Sequence, residues 1–341
     1  MRQGSSLARL SRLSTKKERD MSRLRLGGYG MKQKIQFFLA MAVVVALGLG
    51  VLPSQAAAWG RGHFCVIGTG PAGPQTATLQ ALDTIKRMDV ILASDKHVKL
   101  FAEHIGSKSV LFDPWTGFWD YKGKSYRELS KEETAKFRVE RFRIRDARVE
   151  KIKELLAQGK DVGLLDSGNP CLFGPSHWYV EHFDPGDVVI IPGMGCDAAA
   201  MAALGKSTIP SHDTRFVMQT APFFLTDRAM EDRQILKDLG KYATTMVLYM
   251  ALGDPKKLFA TLGEALPPDM PCAVVYWAGY PDRQRIVRGT VADMGDKLSK
   301  EKEKFMGLLF IGRFLEGKPY EKAMKRATQL DSVNNVEKYT E

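Results

Sequence analysis

The sequence predicts an α/β fold, on three observations. A short apolar run, Phe64–Ile67, passes through a glycine loop into a helical pattern and then a second apolar run, Val90–Ala93. Apolar runs and helical patterns alternate from there to about residue 311. Three of the runs, ending at Ile67, Leu165 and Ile191, pass directly into Gly/Pro-rich loops. Open α/β sheets bind ligands at such strand ends, so the three loops imply one shared crevice.

The chain starts with a leader. Met1–Gly30 is rich in Arg, Lys, Ser and Gly and shows no apolar face, so it is read as a basic, disordered segment. From Met31 the pattern changes. Lys32 and Lys34 precede the uncharged apolar run Ile35–Leu52, and Pro53–Ala58 supplies small residues in an A-x-A-like arrangement. That composition predicts a signal peptide or membrane anchor over 31–58 and an exported, periplasmic or membrane-anchored, body. A cytoplasmic protein is expected if the leader is not used.

The body follows in order. The loop Gly68-Thr69-Gly70-Pro71-Ala72-Gly73 leads to a helical pattern over Gln75–Lys86, and the strand Val90–Ala93 ends at Ser94-Asp95. Phe112–Tyr126 is dense in aromatics and reads either as a loop over a flat apolar ligand or as a flap packed on the core. Ser130–Gln158 alternates Arg with Glu and Asp and predicts a solvated helix with intrahelical ion pairs. The strand Val162–Leu165 runs into the loop Asp166–Gly174, and Val188–Ile191 runs into Pro192–Gly195 and a small-residue helix, Ala198–Leu204. A second half begins near Ser207, with strands at Arg215–Met218, Thr245–Met250, Cys272–Trp277, Arg285–Gly289 and Leu308–Ile311. Helices are expected at Met230–Leu239, Leu258–Leu266 and Val291–Lys300, and a polar tail ends the chain.

Composition removes several classes. Of the formal net charge of +11, residues 1–58 carry ten Lys/Arg against two Asp/Glu, leaving only +3 on the rest, so no nucleic-acid footprint is expected. The four cysteines form no C-x-x-C pair, and the six histidines are scattered, so no metal is expected. Gly68, Gly70 and Gly73 satisfy G-x-G-x-x-G, with Asp95 where a ribose-binding acid would stand. That leaves a flavin or nicotinamide fold open beside other nucleotide-like folds.

The order of loops decides between them by resemblance. The succession Gly68–Gly73 with Ala77–Leu82, then Gly168-Asn169-Pro170-Cys171-Leu172-Phe173-Gly174, then Ile191-Pro192-Gly193-Met194-Gly195-Cys196, then Thr245–Met250, then Pro271–Val275 with Gln284-Arg285 and Gly289-Thr290-Val291 resembles the tetrapyrrole (corrin/porphyrin) methylase family. The resemblance spans about Gly62–Phe314. It implies two α/β domains, 59–204 and 205–318, with a cleft between them, S-adenosyl-L-methionine as cofactor, a small tetrapyrrole-like substrate and a homodimer. It also implies cofactor contacts from Gly68, Gly70, Pro71, Ser167, Gly168, Asn169, Leu172, Gly195, Cys196, Met250 and Gly279. Asp95 is the candidate catalytic base, with Ser94 in the directly aligned place.

Three positions depart from the family pattern: Gly73 and Asn169 stand where it has Asp, and Gly195 where it has Ser or Thr. A lost charge-assisted hydrogen bond costs about 1.5–3 kcal/mol. These losses, with an exported body and a cytosolic cofactor, set a second reading beside the methyltransferase. It is an exported, non-catalytic member that holds a tetrapyrrole or a peptide in the cleft.

Overall fold

The computed structural model describes residues 62–209, 214–226 and 229–316. The expected basic segment 1–30, the signal peptide or anchor 31–58 and the tail 319–341 lie outside the described residues.

The first half builds a parallel sheet. Its strands are β1 (Phe64–Gly68), β2 (Val90–Leu92), β3 (Ser109–Phe112), β6 (Val162–Asp166) and β7 (Val188–Ile191), in the order β3-β2-β6-β1-β7. A two-stranded hairpin, β4 (Asp120–Tyr121) with β5 (Lys124–Ser125), interrupts the series. All five residues of β1 and of β6 are buried, as expected of strands covered on both faces. On one face lie α1 (Leu79–Arg87), α2 (Asp95–Leu100) and α3 (Ala102–Ile105), which bring Ala81, Ile85, Phe101 and Ile105 to a core with Ile67, Ile91 and Leu165. On the other lie α4 (Lys131–Ala157) and α5 (His177–Val180), with Val149, Ile152, Leu155 and Tyr179 buried.

The second half builds a mixed sheet. Its strands are β8 (Phe216–Thr220), β9 (Thr244–Leu248), β10 (Pro271–Tyr276), β11 (Arg285–Thr290) and β12 (Gly307–Ile311), in the order β11-β10-β12-β9-β8. β8 and β9 are parallel, and the remaining pairs antiparallel. The helices of this half are α6 (Cys196–Leu204), α7 (Pro222–Thr226), α8 (Ala229–Gly240), α9 (Pro255–Gly263) and α10 (Val291–Ser299). Leu258 and Leu262 of α9 and Met294 and Leu298 of α10 fill one face of the sheet. α6 fills the other, where Ala200 and Leu204 meet Val247, Ala273, Val275 and Phe310. The helix that follows the last strand of the first sheet is thereby the cover of the second sheet.

Three expectations are corrected. The helix expected from Gln75 starts at Leu79: Pro74 opens a short 3-10 turn, and Thr78, in extended backbone, caps the helix by accepting the Ala81 amide at 3.0 Å. Two short helices and a strand, β3, run from Asp95 to Phe112, across the mixed segment Lys96–Val110 in which the residue pattern gives no element. The strands expected to reach Met250 and Trp277 stop at Leu248 and Tyr276, because Met250 and Trp277 take left-handed backbone, with φ of 56° and 52°.

Of the two readings of the aromatic run, the structure takes the flap packed on the core. Phe118 is fully buried and stacks on Tyr179 at 5.8 Å, with Trp115 edge-on to both. The Tyr179 hydroxyl donates to the Pro114 carbonyl at 2.7 Å, so the one polar atom of that ring is satisfied. Burying rings of this size stabilises the fold by about 1.5–3 kcal/mol each. The charged helix α4 carries the expected pairs, Glu132–Lys136 and Glu140–Arg143 among them, each worth little in solvent. Two of its arginines turn inward instead. Arg141 lies 4.6 Å over the Trp178 ring, and Arg148 donates to the Pro114 carbonyl at 3.0 Å.

Candidate cofactor cavity

A cavity of about 270 Å³ opens where the two sheets present their strand ends. From the first sheet come the loops after β1 (Pro71), β6 (Ser167–Phe173) and β7 (Gly195, Cys196). From the second come the turns after β9 (Tyr249, Met250) and β10 (Trp277, Ala278) and the start of β12 (Gly307, Leu308). β12 runs antiparallel to β9 and β10, so its first residues lie beside their last ones.

Eight of the eleven expected cofactor residues line this cavity: Pro71, Ser167, Gly168, Asn169, Leu172, Gly195, Cys196 and Met250. Gly68, Gly70 and Gly279 do not; they hold its walls together. A Cβ at Gly68 would collide with the Gly193 amide, so the loops after β1 and β7 touch there through backbone alone. Gly70 accepts the Gly168 amide at 2.9 Å, which ties the first loop to the second. Gly279 packs on Ala72 and Thr76, and its amide donates to Gln284 Oε1 at 2.9 Å.

The lining is mostly apolar. Leu172, Phe173, Val275, Trp277, Met306 and Leu308 supply hydrocarbon and ring surface, and polar atoms are few. Such a lining suits a nucleoside with an apolar-faced base and a few polar anchors. Strain is concentrated at the same place. Phe173, Met250 and Trp277 all take positive φ, and all three line the cavity. Each such residue costs on the order of 1–3 kcal/mol, a cost that persists at ligand sites where the surroundings hold the backbone. Phe173 and Trp277 were not legible as site residues, since a positive φ in a non-glycine residue leaves no local mark, and Tyr249 reaches the lining only through the turn that ends β9.

The departures from the family pattern have local explanations. Asn169 Oδ1 accepts the Cys171 amide at 3.0 Å, a turn that a neutral amide closes as well as a carboxylate does. Gly73 sits at φ 101°, where an L side chain is strained. A Cβ at Gly195 would meet the Asp197 carboxylate in the first turn of α6. Cys196 is a neutral thiol: burial, then Asp197, pushes its pKa up to about 11.

Asp95 is exposed at the first position of α2 and is not among the cavity's lining residues. The cap of that helix is Ser94, whose side chain accepts the His97 amide at 3.5 Å. The glycine loop does not open a helix directly, because a 3-10 turn and Thr78 intervene before α1. That removes the dinucleotide reading, whose pyrophosphate needs the helix N-terminus at the loop. Among the described residues, no group of three or more His, Cys, Asp or Glu could hold a metal ion.

The pattern that defines the Tetrapyrrole (Corrin/Porphyrin) Methylases matches residues 63–295, more than half of the chain. The chain belongs to the tetrapyrrole methylase family. It is an S-adenosylmethionine-dependent methyltransferase of tetrapyrrole precursors. Among similar proteins, the cobalt-precorrin-4 C(11)-methyltransferase of Methanocaldococcus jannaschii is 27% identical over 75% of this chain and 89% of its own. The cobalt-precorrin-4 C(11)-methyltransferase of Priestia megaterium is 26% identical over 74% and 88%. A solved cobalt precorrin-4 methyltransferase shares the fold with a TM-score of 0.57 at 24% identity, over 79% of this chain and all of that one. Eight of the eleven motif residues of this tetrapyrrole methylase therefore gather at one cavity, with the altered positions Asn169 and Gly195 among them.

Proposed function

We propose that this tetrapyrrole methylase holds S-adenosylmethionine in the cavity between its two sheets and methylates a carbon of a reduced corrin precursor at the cavity mouth. The observation that carries the reading is the convergence of eight motif residues, from both sheets, on one apolar cavity. Curated relatives named precorrin-4 and cobalt-precorrin-4 C(11)-methyltransferases support a substrate of that class.

The cofactor brings the reactivity as its sulfonium. Bound there, it would supply its methyl group to a substrate carbon and keep the electron pair of the carbon–sulfur bond. The protein's share is to bind, orient and exclude water. Leu172, Val275 and Leu308 would present apolar surface to the adenosine, and Ser167, Gly168 and Asn169 would supply the polar part of the lining. Asp95 is kept as the proposed acceptor of the proton that the substrate carbon loses. Export by residues 31–58 and homodimerisation belong to the same proposal.

The test is calorimetric titration of the purified chain with S-adenosylmethionine and with its demethylated product, followed by mass analysis of a supplied reduced tetrapyrrole. Micromolar binding and a gain of one methyl mass support the reading. Binding of a tetrapyrrole with no methyl transfer overturns it in favour of the non-catalytic, exported member.

A further inference from the structure

We propose that His97 is a positioning residue that makes the hydroxyl of Ser167 a hydrogen-bond donor toward the cofactor. The proposal rests on the cofactor reading above.

His97 is buried in α2, yet its ring joins three strand-end segments of the first sheet. Its Nε2 lies 3.2 Å from Thr69 Oγ1, after β1, and 3.2 Å from Ser167 Oγ, after β6. Its Nδ1 lies 2.9 Å from Ser94 Oγ, after β2. Of these partners, Ser167 lines the cavity and is exposed to it.

The distribution of protons follows from the partners. The Thr69 hydroxyl lies 2.9 Å from the Asp166 carbonyl, which can only accept, so Thr69 spends its proton there. Toward His97 its oxygen then accepts, and Nε2 carries the hydrogen. Ser94 agrees from the other side. Its oxygen accepts the His97 amide, which leaves its own hydrogen for Nδ1, the bare nitrogen of that tautomer. The Nε2 hydrogen lies between Thr69 and Ser167 and is shared by both oxygens. Ser167 thus has its oxygen engaged from behind, and its hydrogen points to the cavity. The ring remains neutral at ordinary pH, because burial first and Lys96 second lower its pKa to about 4.

A donor fixed in this way selects an acceptor that the cofactor and its product share: the carboxylate, a ribose oxygen or an adenine ring nitrogen. The sulfonium charge is not involved, so both ligands are affected equally.

The test has two arms on the full chain. Long-range proton–nitrogen NMR of the imidazole reads the tautomer without any ligand, and the hydrogen is expected on Nε2. Titration with S-adenosylmethionine and S-adenosylhomocysteine then compares Ser167→Ala, His97→Asn and His97→Gln. Ser167→Ala and His97→Asn are each expected to weaken both ligands about ten-fold. The double variant is expected to lose about as much as either single one, because the two groups act as a unit. His97→Gln, whose amide nitrogen stands in for Nε2, is expected to remain within about two-fold of the wild type. Hydrogen on Nδ1, unchanged affinity in Ser167→Ala, or additive losses overturn the proposal. Ser167→Ala changes an exposed hydroxyl and keeps the test open if the His97 variants unfold. A wild-type chain that binds neither ligand overturns the cofactor reading as well, and is distinct from a wild type that binds with Ser167→Ala unaffected.

Discussion

Asn169 Oδ1 accepts a hydrogen bond from the Cys171 backbone amide at 3.0 Å, inside a loop that lines the cavity between the two sheets. The bond closes the turn that sets Leu172 against the cavity. A carboxylate at the same place makes the same bond. Asn169→Asp is therefore expected to bind S-adenosylmethionine within about three-fold of the wild type, while Asn169→Ala weakens it about ten-fold by freeing the turn. Titration of the two variants checks this. Equal losses in both remove the turn as the reason for the residue.

Gly193 is held by contact rather than by φ. A Cβ there would collide with the Gly168 carbonyl and with Gly68, all backbone. Gly193→Ala is expected to destabilise by about 1–3 kcal/mol, since three loops must separate to admit it. Gly186, where a Cβ meets nothing within 4 Å, is the control. Gly186→Ala is expected to stay within about 0.5 kcal/mol of the wild type in urea unfolding.

Met250 lines the cavity at φ 56°. Glycine adopts that backbone freely but loosens the unfolded chain, and the two effects nearly offset. Met250→Gly is expected to change stability by less than about 1 kcal/mol, while weakening the binding of S-adenosylmethionine. Thermal unfolding together with ligand titration separates the two effects. A large loss of stability would show that the side chain, not the backbone, holds the turn.

His97 links stability to pH. Burial and Lys96 lower its pKa from 6.5 to about 4 in the folded state. The groups against its ring are the Thr69, Ser94 and Ser167 hydroxyls, with Phe101 beside it. The unfolded chain takes up a proton first, so stability is full above pH about 6.5 and is lost as the pH falls toward 4. The loss is on the order of 3 kcal/mol across that window. Urea unfolding at several pH values is expected to show that slope, flattened in His97→Gln. An unchanged slope in the variant would assign the loss to other groups.

The leader is tested by its processing. If residues 31–58 act as a signal peptide, protein recovered from an expressing bacterium is expected to begin just after the Ala56–Ala58 stretch, and to lie outside the cytoplasm. Mass analysis of the intact chain reads this. A retained Ile35–Leu52 run in the membrane fraction would favour the anchor, and a full-length soluble chain would remove the leader's role in export.

The sequence by itself determined the α/β class, most of the strands near their observed places, and the loops that carry the family pattern. Those features are local. Buried strands read as short apolar runs, and loops at strand ends must be built from Gly, Pro and Asn. Eight of the eleven residues taken from that pattern line the cavity for the same reason. Tertiary structure decided the rest. The aromatic run became a core flap because Tyr179 and Arg148, from two later helices, closed on Pro114. The helix after the first sheet became the cover of the second, which only the packing of Leu204 on Val247 and Phe310 reveals. The join at His97 brings together residues 28 and 70 positions away from it, Thr69 and Ser167. No periodicity relates such residues. Parallel strand register alone places their ends side by side, and hydrogen-bond geometry then assigns the protons.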